Sequence, residues 1–272
     1  MKYNWHFQIV LLGFAVKKYL ISIEKEGSAR LAHFFSQTTF GKYQDQFTKI
    51  GVIGAQLPTA EYFKLAVAGR KKALSPAELG CTLSHVNVFK DFLASNEQFA
   101  CIFEDDAICL NDIDLNELEN QISALNLPNC FLLSMGGIQL KSSRKVRGEF
   151  LEQKLENQPV LKLHPIYFGR LFYTYSYVID RKMAELLLRY HEVPKGCDHW
   201  SQLRDYDENS QLYATFLFDH PELDAIASGQ SYIEQERNLL NKVEKSKKSF
   251  IEKWKISILK RIFKMLLTQY PK

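Results

Sequence analysis

The feature that most constrains this chain is Phe99-Ala-Cys-Ile-Phe103, an apolar run of strand length that ends abruptly in Glu104-Asp105-Asp106. Such a run reads as a buried strand, with three carboxylates just past its end. Lys18 to Ile23 reads as another short buried strand, and Gly27 to Phe40 follows with helical spacing through Leu31, Phe34 and Phe35. A second strand is predicted at Ile50 to Ile53. Ser75-Pro76-Ala77-Glu78 then carries a helix start: Ser75 can cap, Pro76 suits the first helical position, and Glu78 can reach back to the cap N–H. That helix is predicted to run to about Ser95. Cys130 to Met135 reads as a buried strand ending in Gly136-Gly137, and Tyr167 to Ile179 is rich in Tyr and Phe. Arg181 to Tyr190 is predicted as a helix with Met183, Leu186, Leu187 and Tyr190 on one side. Strands alternating with helices predict an α/β domain with a mainly parallel sheet, in which ligands gather at the carboxyl ends of the strands. The acidic triplet falls at such an end.

With 272 residues, 46% of them hydrophobic, one catalytic domain with one sizeable core is the expectation. No uncharged apolar run reaches the 18 or more residues that span a bilayer, and Ile9 to Val16 is short and flanked by Lys17 and Lys18. No small-residue cleavage site follows that stretch, which predicts a cytoplasmic protein. Cys81, Cys101, Cys109, Cys130 and Cys197 are odd in number, widely spaced and contain no Cys-x-x-Cys pair. That spacing argues against both zinc and a disulfide framework.

Charge is unevenly placed. From Leu240 onward ten Lys or Arg face only Glu244 and Glu252, a local net of +8 that leaves −4 for the rest. A basic excess confined to one end points to a local anionic partner rather than to nucleic acid. At 100° per residue Ile251, Trp254, Ile258, Ile262 and Met265 share one side, with Lys253, Lys260 and Lys264 opposite. This predicts an amphipathic helix on an anionic membrane, the alternative being a helix packed on the domain. The expected organisation is an N-terminal extension over 1–17, a catalytic domain over 18–239 and a basic tail over 240–272.

If strand geometry continues past Phe103, Glu104 and Asp106 project to the same side, where a hard divalent cation can meet oxygen ligands and substrate phosphates. The bland alternative is a solvated acidic loop. Asp205-Tyr-Asp207-Glu208 has the same spacing but follows no apolar strand and reads as solvated. Asp198, between Cys197 and His199-Trp200, suits a base or a cap for a helix beginning at His199. His220 is a metal ligand or a surface imidazole, and His85 and Cys81 by themselves read as structural.

Taken in order, these segments resemble glycosyltransferase family 25, the lipooligosaccharide biosynthesis transferases. The resemblance is carried by Lys18 to Ile23 with Arg30, by Leu74-Ser-Pro-Ala-Glu-Leu-Gly-Cys-Thr-Leu-Ser-His85, by Phe103-Glu-Asp-Asp106, by Tyr175-Ser-Tyr-Val-Ile179 and by Asp198-His-Trp200, so it spans roughly Lys18 to Ile233. Two departures stand out: residues Met1 to Val16 extend beyond the usual start, and Ala77 stands where Gly is common. The resemblance implies a GT-A-like, Rossmann-like fold, a nucleotide-sugar donor, Mn²⁺ or Mg²⁺, and inversion at the anomeric carbon. It further implies Asp106 as metal ligand with Glu104 and His220 assisting, and Asp198 as base. Ser22, Arg30 and Asp105 are assigned to the nucleotide side, and Glu78, Ser84 and His85 to donor groups or the metal shell. Galactose from UDP-galactose, passed to a lipooligosaccharide acceptor at the inner face of the cytoplasmic membrane, is the expected transfer, with glucose and N-acetylhexosamines behind it. The rivals are a metal-dependent phosphoesterase or nuclease, and a non-enzymatic membrane adaptor in which the basic tail is the function.

Overall fold

The structure is a computed structural model that describes residues 16–139, 143, 145–221, 259–261 and 263–271. The amino-terminal stretch 1–15 and the tail residues Ile251, Lys253, Trp254, Ile258 and Ile262 lie outside the described residues, as does the end of the family resemblance at Ile233.

Eleven strands are described: β1 (Val16–Ile21), β2 (Phe47–Ile50), β3 (Phe99–Glu104), β4 (Ile108–Cys109), β5 (Phe131–Ser134), β6 (Arg147–Leu155), β7 (Gln158–Leu163), β8 (Ser176–Asp180), β9 (Gln211–Ala214), β10 (Phe218–Asp219) and β11 (Thr268–Gln269). The helices of eight or more residues are α1 (Ala29–Ser36), α2 (Pro76–Ala94), α3 (Leu115–Ala124) and α4 (Arg181–Tyr190). Nine strands form one sheet in the order β11-β6-β7-β9-β5-β8-β3-β1-β2, and β4 pairs with β10 in a separate two-stranded ladder. β2, β3, β5, β6 and β9 run in the direction of β1, while β7, β8 and β11 run against it. The domain is therefore α/β with a mostly unidirectional central sheet, as alternating elements predict. Its one central reversal is β8, wedged antiparallel between β3 and β5.

Alternation along the buried strands sorts the core onto two faces. Tyr19, Ile21, Ala100 and Ile102 point with Ile179 toward Val88, Phe89 and Phe92 of α2 and Met183, Leu186 and Leu187 of α4. Leu20, Cys101, Phe103 and Val178 point the other way, toward Leu31 and Phe34 of α1 and Leu118 and Ile122 of α3. A three-layer sandwich results.

The local signals for α2 and α4 hold. Ser75 Oγ accepts from Glu78 N at 3.1 Å and Glu78 Oε2 accepts from Ser75 N at 2.9 Å, closing the capping box. Asp180 caps α4, accepting from Met183 N at 3.0 Å. The helix predicted from Gly27 to Phe40 instead breaks at Gln37, whose extended backbone separates α1 from a short turn at Thr38–Gly41. β2 lies three residues earlier than Ile50 to Ile53, because Phe47 packs edge-on against Phe34 and Phe103. Such aromatic pairs add about 0.5–1.5 kcal/mol beyond area burial, enough to decide the register of a four-residue edge strand. The Tyr- and Phe-rich stretch divides into a 3-10 turn at Pro165–Arg170 and β8.

The described part of the tail docks on the domain. Residues 259–261 and 263–266 are helical, Phe263 and Leu267 pack against the core, and β11 pairs with β6. Phe216 N donates to the Tyr270 hydroxyl at 3.1 Å, and Arg147 donates to Leu267 O at 3.1 Å. Met265 and Leu266 are 88% and 73% exposed. Phe263, rather than Met265, thus faces inward here.

Candidate active site

Every polar group singled out around the acidic triplet gathers at one edge of the sheet, at the carboxyl ends of β1, β3 and β9 and the start of antiparallel β8. Backbone staples fix the strand ends there: Asp105 N donates to Ile21 O at 3.2 Å and Glu104 N to Tyr175 O at 2.9 Å. β3 ends at Glu104, so the alternation assumed for Glu104 and Asp106 does not continue; Asp105 and Asp106 lie in a turn.

The three carboxylates consequently serve different partners. Asp105 is buried; its carboxylate accepts from Ser22 Oγ at 2.5 Å and from Arg30 Nε at 2.6 Å. Burial pushes its carboxyl above the usual range despite Arg30 and Ser22. Arg30 reaches on to Asp106 Oδ2 at 3.1 Å, and His220 Nε2 lies 3.2 Å from the same oxygen. Burial opposes the charge on Asp106, yet His220 and Arg30 hold its carboxyl below the ordinary value. Neighbouring carboxyls with pKa values pushed apart mark a worked site.

His220 is brought there by the two-residue ladder of β4 and β10, in which Phe218 sits opposite Cys109 and Asp219 opposite Ile108. Phe218 is locked among Phe40 and Phe103, at ring separations of 5.8 and 5.1 Å. His220 Nδ1 lies 2.9 Å from Pro221 O and donates to it, which turns the Nε2 lone pair toward Asp106. Two lone-pair-bearing atoms at 3.2 Å need a proton or a cation between them. Burial lowers the His220 pKa, but the Asp106 carboxylate more than reverses this. Asp106 Oδ1, meanwhile, is buried without a hydrogen-bond partner. A carboxylate with one orphaned oxygen, its other oxygen beside an imidazole nitrogen, fits a divalent cation with oxygen and nitrogen ligands.

Glu104 faces a second cluster. Its Oε1 accepts from Thr174 Oγ1 at 2.6 Å and lies 3.3 Å from His85 Nε2, while His85 Nδ1 lies 2.7 Å from the Tyr177 hydroxyl. Its charge still raises the His220 imidazole, so the two clusters are neighbours. Cys81 Sγ and Cys197 Sγ are 3.4 Å apart, and Thr174 Oγ1 lies 3.4 Å from the latter. Cys81 therefore is more than inert core. Burial opposes protonation of His85, but Cys197 and Glu104 raise it to about 9; the Cys81 contact, against burial, lowers the Cys197 thiol to about 6.

Asp198 caps no helix, since the next short helix begins at Leu203. Its Oδ2 accepts from Tyr173 N at 3.3 Å, and Tyr173 holds φ at +74°, in the left-handed region. The Tyr173 ring lies 5.7 Å from that of His220, so a single residue links Asp198 to the metal-type cluster. Glu78 and Ser84 stand apart: Glu78 closes the capping box, and Ser84 Oγ donates to Gly80 O and accepts from Val52 N. Spacing alone missed Tyr173, Thr174 and Tyr177; the only signal was the density of aromatic and hydroxyl residues over 172–177.

A cleft of about 700 Å³ runs between α1 and edge strand β2 and is lined by Gly27, Leu31, Phe35, Phe47 and Lys49. None of the acidic cluster lines it, although Arg30 belongs to the same helix.

Residues 15–200 match the family model described as Glycosyltransferase family 25 (LPS biosynthesis protein). No curated protein matches the chain. Among solved structures it is similar to a mannose-1-phosphate geranyltransferase from Thermus thermophilus, with 8% identity, 76% of this chain and 75% of that chain covered, and a TM-score of 0.36. It is also similar to CMP:2-keto-3-deoxy-manno-octonic acid synthetase complexed with CTP, with 12% identity, 84% and 98% coverage and a TM-score of 0.35. Both scores are below 0.5, so the architecture rests on the strand order described above.

Proposed function

The chain belongs to glycosyltransferase family 25 and is a glycosyltransferase of lipopolysaccharide biosynthesis using a nucleotide-sugar donor; on that premise we propose a metal-dependent, inverting hexosyl transfer from UDP-galactose to a lipooligosaccharide acceptor. The observation that carries the metal dependence is the Asp106 carboxylate, whose Oδ1 is buried without a partner and whose Oδ2 lies 3.2 Å from His220 Nε2. Asp106 and His220 would hold Mn²⁺ or Mg²⁺ there. Once bound, such a cation neutralises the charge of a departing nucleotide diphosphate.

The remaining work falls to the chain's own groups. Arg30 bridges Asp105 and Asp106, fixing the turn and adding a positive charge beside the anionic leaving group. Ser22 fixes the far oxygen of Asp105. Asp198 accepts the proton of the acceptor hydroxyl as it attacks the anomeric carbon from the face opposite the leaving group. Its position one residue's width from His220 supports that role. Glu78 and Ser84 position α2 and the loop after β2 instead of touching donor. No helix among the described residues is long and apolar enough to cross a membrane. Exposed Leu259, Met265 and Leu266 alongside Lys260, Arg261 and Lys264 support peripheral attachment of the tail to the anionic inner face of the cytoplasmic membrane.

Incubation with a panel of nucleotide sugars, truncated lipooligosaccharide acceptors and Mn²⁺, read by mass spectrometry, tests the reading. The expected product is acceptor plus one hexose from UDP-galactose, abolished by a chelator. Transfer that persists in excess chelator, transfer only from another donor, or phosphate release without transfer overturns it.

A further inference from the structure

Beside Asp106 lies a cluster to which the transfer proposed above assigns no step. Cys81 and His85 are four residues apart on α2, so they share one face of the helix, a spacing at which two side chains can grip one ion. Cys197 meets them from the loop after α4. Its Sγ, the Cys81 Sγ and a His85 ring nitrogen all lie within 4.8 Å of one another. We propose that Cys81, His85 and Cys197 form a structural zinc site distinct from the donor-cation site, with Glu104, which touches His85 but lies outside that three-way cluster, closing in as fourth ligand.

Four observations support this. In a tetrahedral zinc shell with Zn–S of about 2.3 Å and Zn–N of about 2.0–2.1 Å, ligand atoms stand roughly 3.6–3.8 Å apart. The two sulfurs, at 3.4 Å, and Glu104 Oε1, 3.3 Å from His85 Nε2, are already near that spacing. The His85 ring is oriented by its other nitrogen, since Nδ1 lies 2.7 Å from the buried Tyr177 hydroxyl, the kind of outer contact that fixes a ligating imidazole. The loop is also tied down independently of the cysteines: Thr82 Oγ1 donates to Lys195 O at 2.8 Å and Arg70 donates to Pro194 O at 2.5 Å. Finally, the donor set of two sulfurs, one imidazole and one carboxylate suits zinc rather than the hard cation proposed at Asp106. Sequence spacing gave no zinc pattern because the second sulfur arrives from 116 residues away.

Such an ion crosslinks α2, the end of β3 and the loop that carries Asp198, the residue after Cys197. It holds the acceptor side of the site without entering the reaction.

The test is metal content of the full-length protein, expressed in zinc-supplemented medium and desalted. About one zinc per chain is expected, with the same content in Asp106→Asn and less than about a tenth of it in Cys81→Ser and Cys197→Ser. Cobalt substitution adds a spectroscopic readout: a sulfur-to-Co²⁺ charge-transfer band that both cysteine variants lose. A measurement on unmutated protein guards against misfolded variants, since both thiols are then expected to resist alkylation until a chelator is added. Absence of zinc in the wild type, zinc retained by both cysteine variants, or a Cys81–Cys197 disulfide in the purified chain overturns the proposal. Asp106→Asn separates this outcome from failure of the donor-cation reading, because that variant is expected to lose transfer and keep zinc.

Discussion

Replacing Asp198 separates proton transfer from loop support, because the structure assigns its carboxylate a measurable mechanical task. Tyr173 holds φ at +74°, and a non-glycine residue there costs on the order of 1–3 kcal/mol. Its N–H donates to Asp198 Oδ2 at 3.3 Å, a long bond to a charged acceptor, for which about 1.5 kcal/mol, the low end of the usual range, applies. The two quantities are of similar size, so this bond is large enough to offset the strain. Asp198→Ala removes it, and is expected to destabilise the protein by about 1–2 kcal/mol, or roughly 2–8 °C in Tm for a domain of this size. Asp198→Asn keeps an acceptor oxygen for Tyr173 and is expected to melt with the wild type. It cannot take a proton at neutral pH, so its single-turnover transfer rate is expected to fall by about 10² to 10⁴ with donor affinity preserved. Calorimetry with UDP-sugar, thermal melts and rapid-quench transfer are run on both variants. An Asn variant that turns over at the wild-type rate refutes Asp198 as the base, and one that loses donor binding makes it a positioning residue.

Asp106→Asn is expected to abolish metal-stimulated transfer and, because it removes the buried charge paired with Arg30 and His220, to lower the melting temperature without unfolding the domain; Mn²⁺ titration calorimetry checks the lost binding. Asp180→Ala strips the acceptor from three backbone N–H groups, those of Cys130, Phe131 and Met183 at 2.8, 3.1 and 3.0 Å. At about 1–3 kcal/mol for each buried orphan donor the loss is expected to exceed about 3 kcal/mol in urea unfolding, a large share of total stability. Asp114 caps α3, and the Tyr43 hydroxyl followed by backbone N–H donors lowers its carboxyl below the ordinary value. Its contribution is therefore full above the unfolded-state pKa and lost as pH falls through the lower folded one, so Asp114→Ala is expected to cost about 1 kcal/mol at pH 7 and little at pH 2 by denaturant unfolding. For the tail, Met265→Ser with Leu266→Ser is expected to weaken co-sedimentation with anionic liposomes without unfolding the domain, because both side chains are exposed. Truncation after Asn241 is the poorer test, since it also removes β11 and the buried Tyr270.

Long-range pairing, more than local pattern, separates what was legible in the chain from what was not. The capping box at Ser75 and Glu78, the face of α4 and the strand before Glu104 depend on residues within a few positions of one another, and each forms as its spacing predicts. The β6–β7 hairpin was invisible because five of the nine β6 residues are exposed and four are charged, leaving no apolar alternation to read. The same distance effect governs the site. Asp106 was legible at a strand end, whereas its pairing with His220 depends on a two-residue ladder roughly a hundred residues further on, and the joining of Cys81 to Cys197 on the packing of a loop against α2. The different partners of Glu104 and Asp106 follow from the chain leaving strand geometry after Glu104, which no periodicity encodes.

The reversed strand β8 has a consequence for how the molecule is made. It fills the slot between β3 and β5, both of which precede it in the chain, so the two halves of the sheet remain separate until residues 176–180 slide between them. Closing the sheet at β8 rests on contacts of high sequence separation, as the β1–β3 and β5–β9 pairings also do, and such pairing is slower than helix formation. Thr174 and Tyr177 reach Glu104 and His85 only through that insertion. Donor-binding competence during refolding is accordingly expected to lag behind helix formation, and to appear together with burial of the β8 tyrosine.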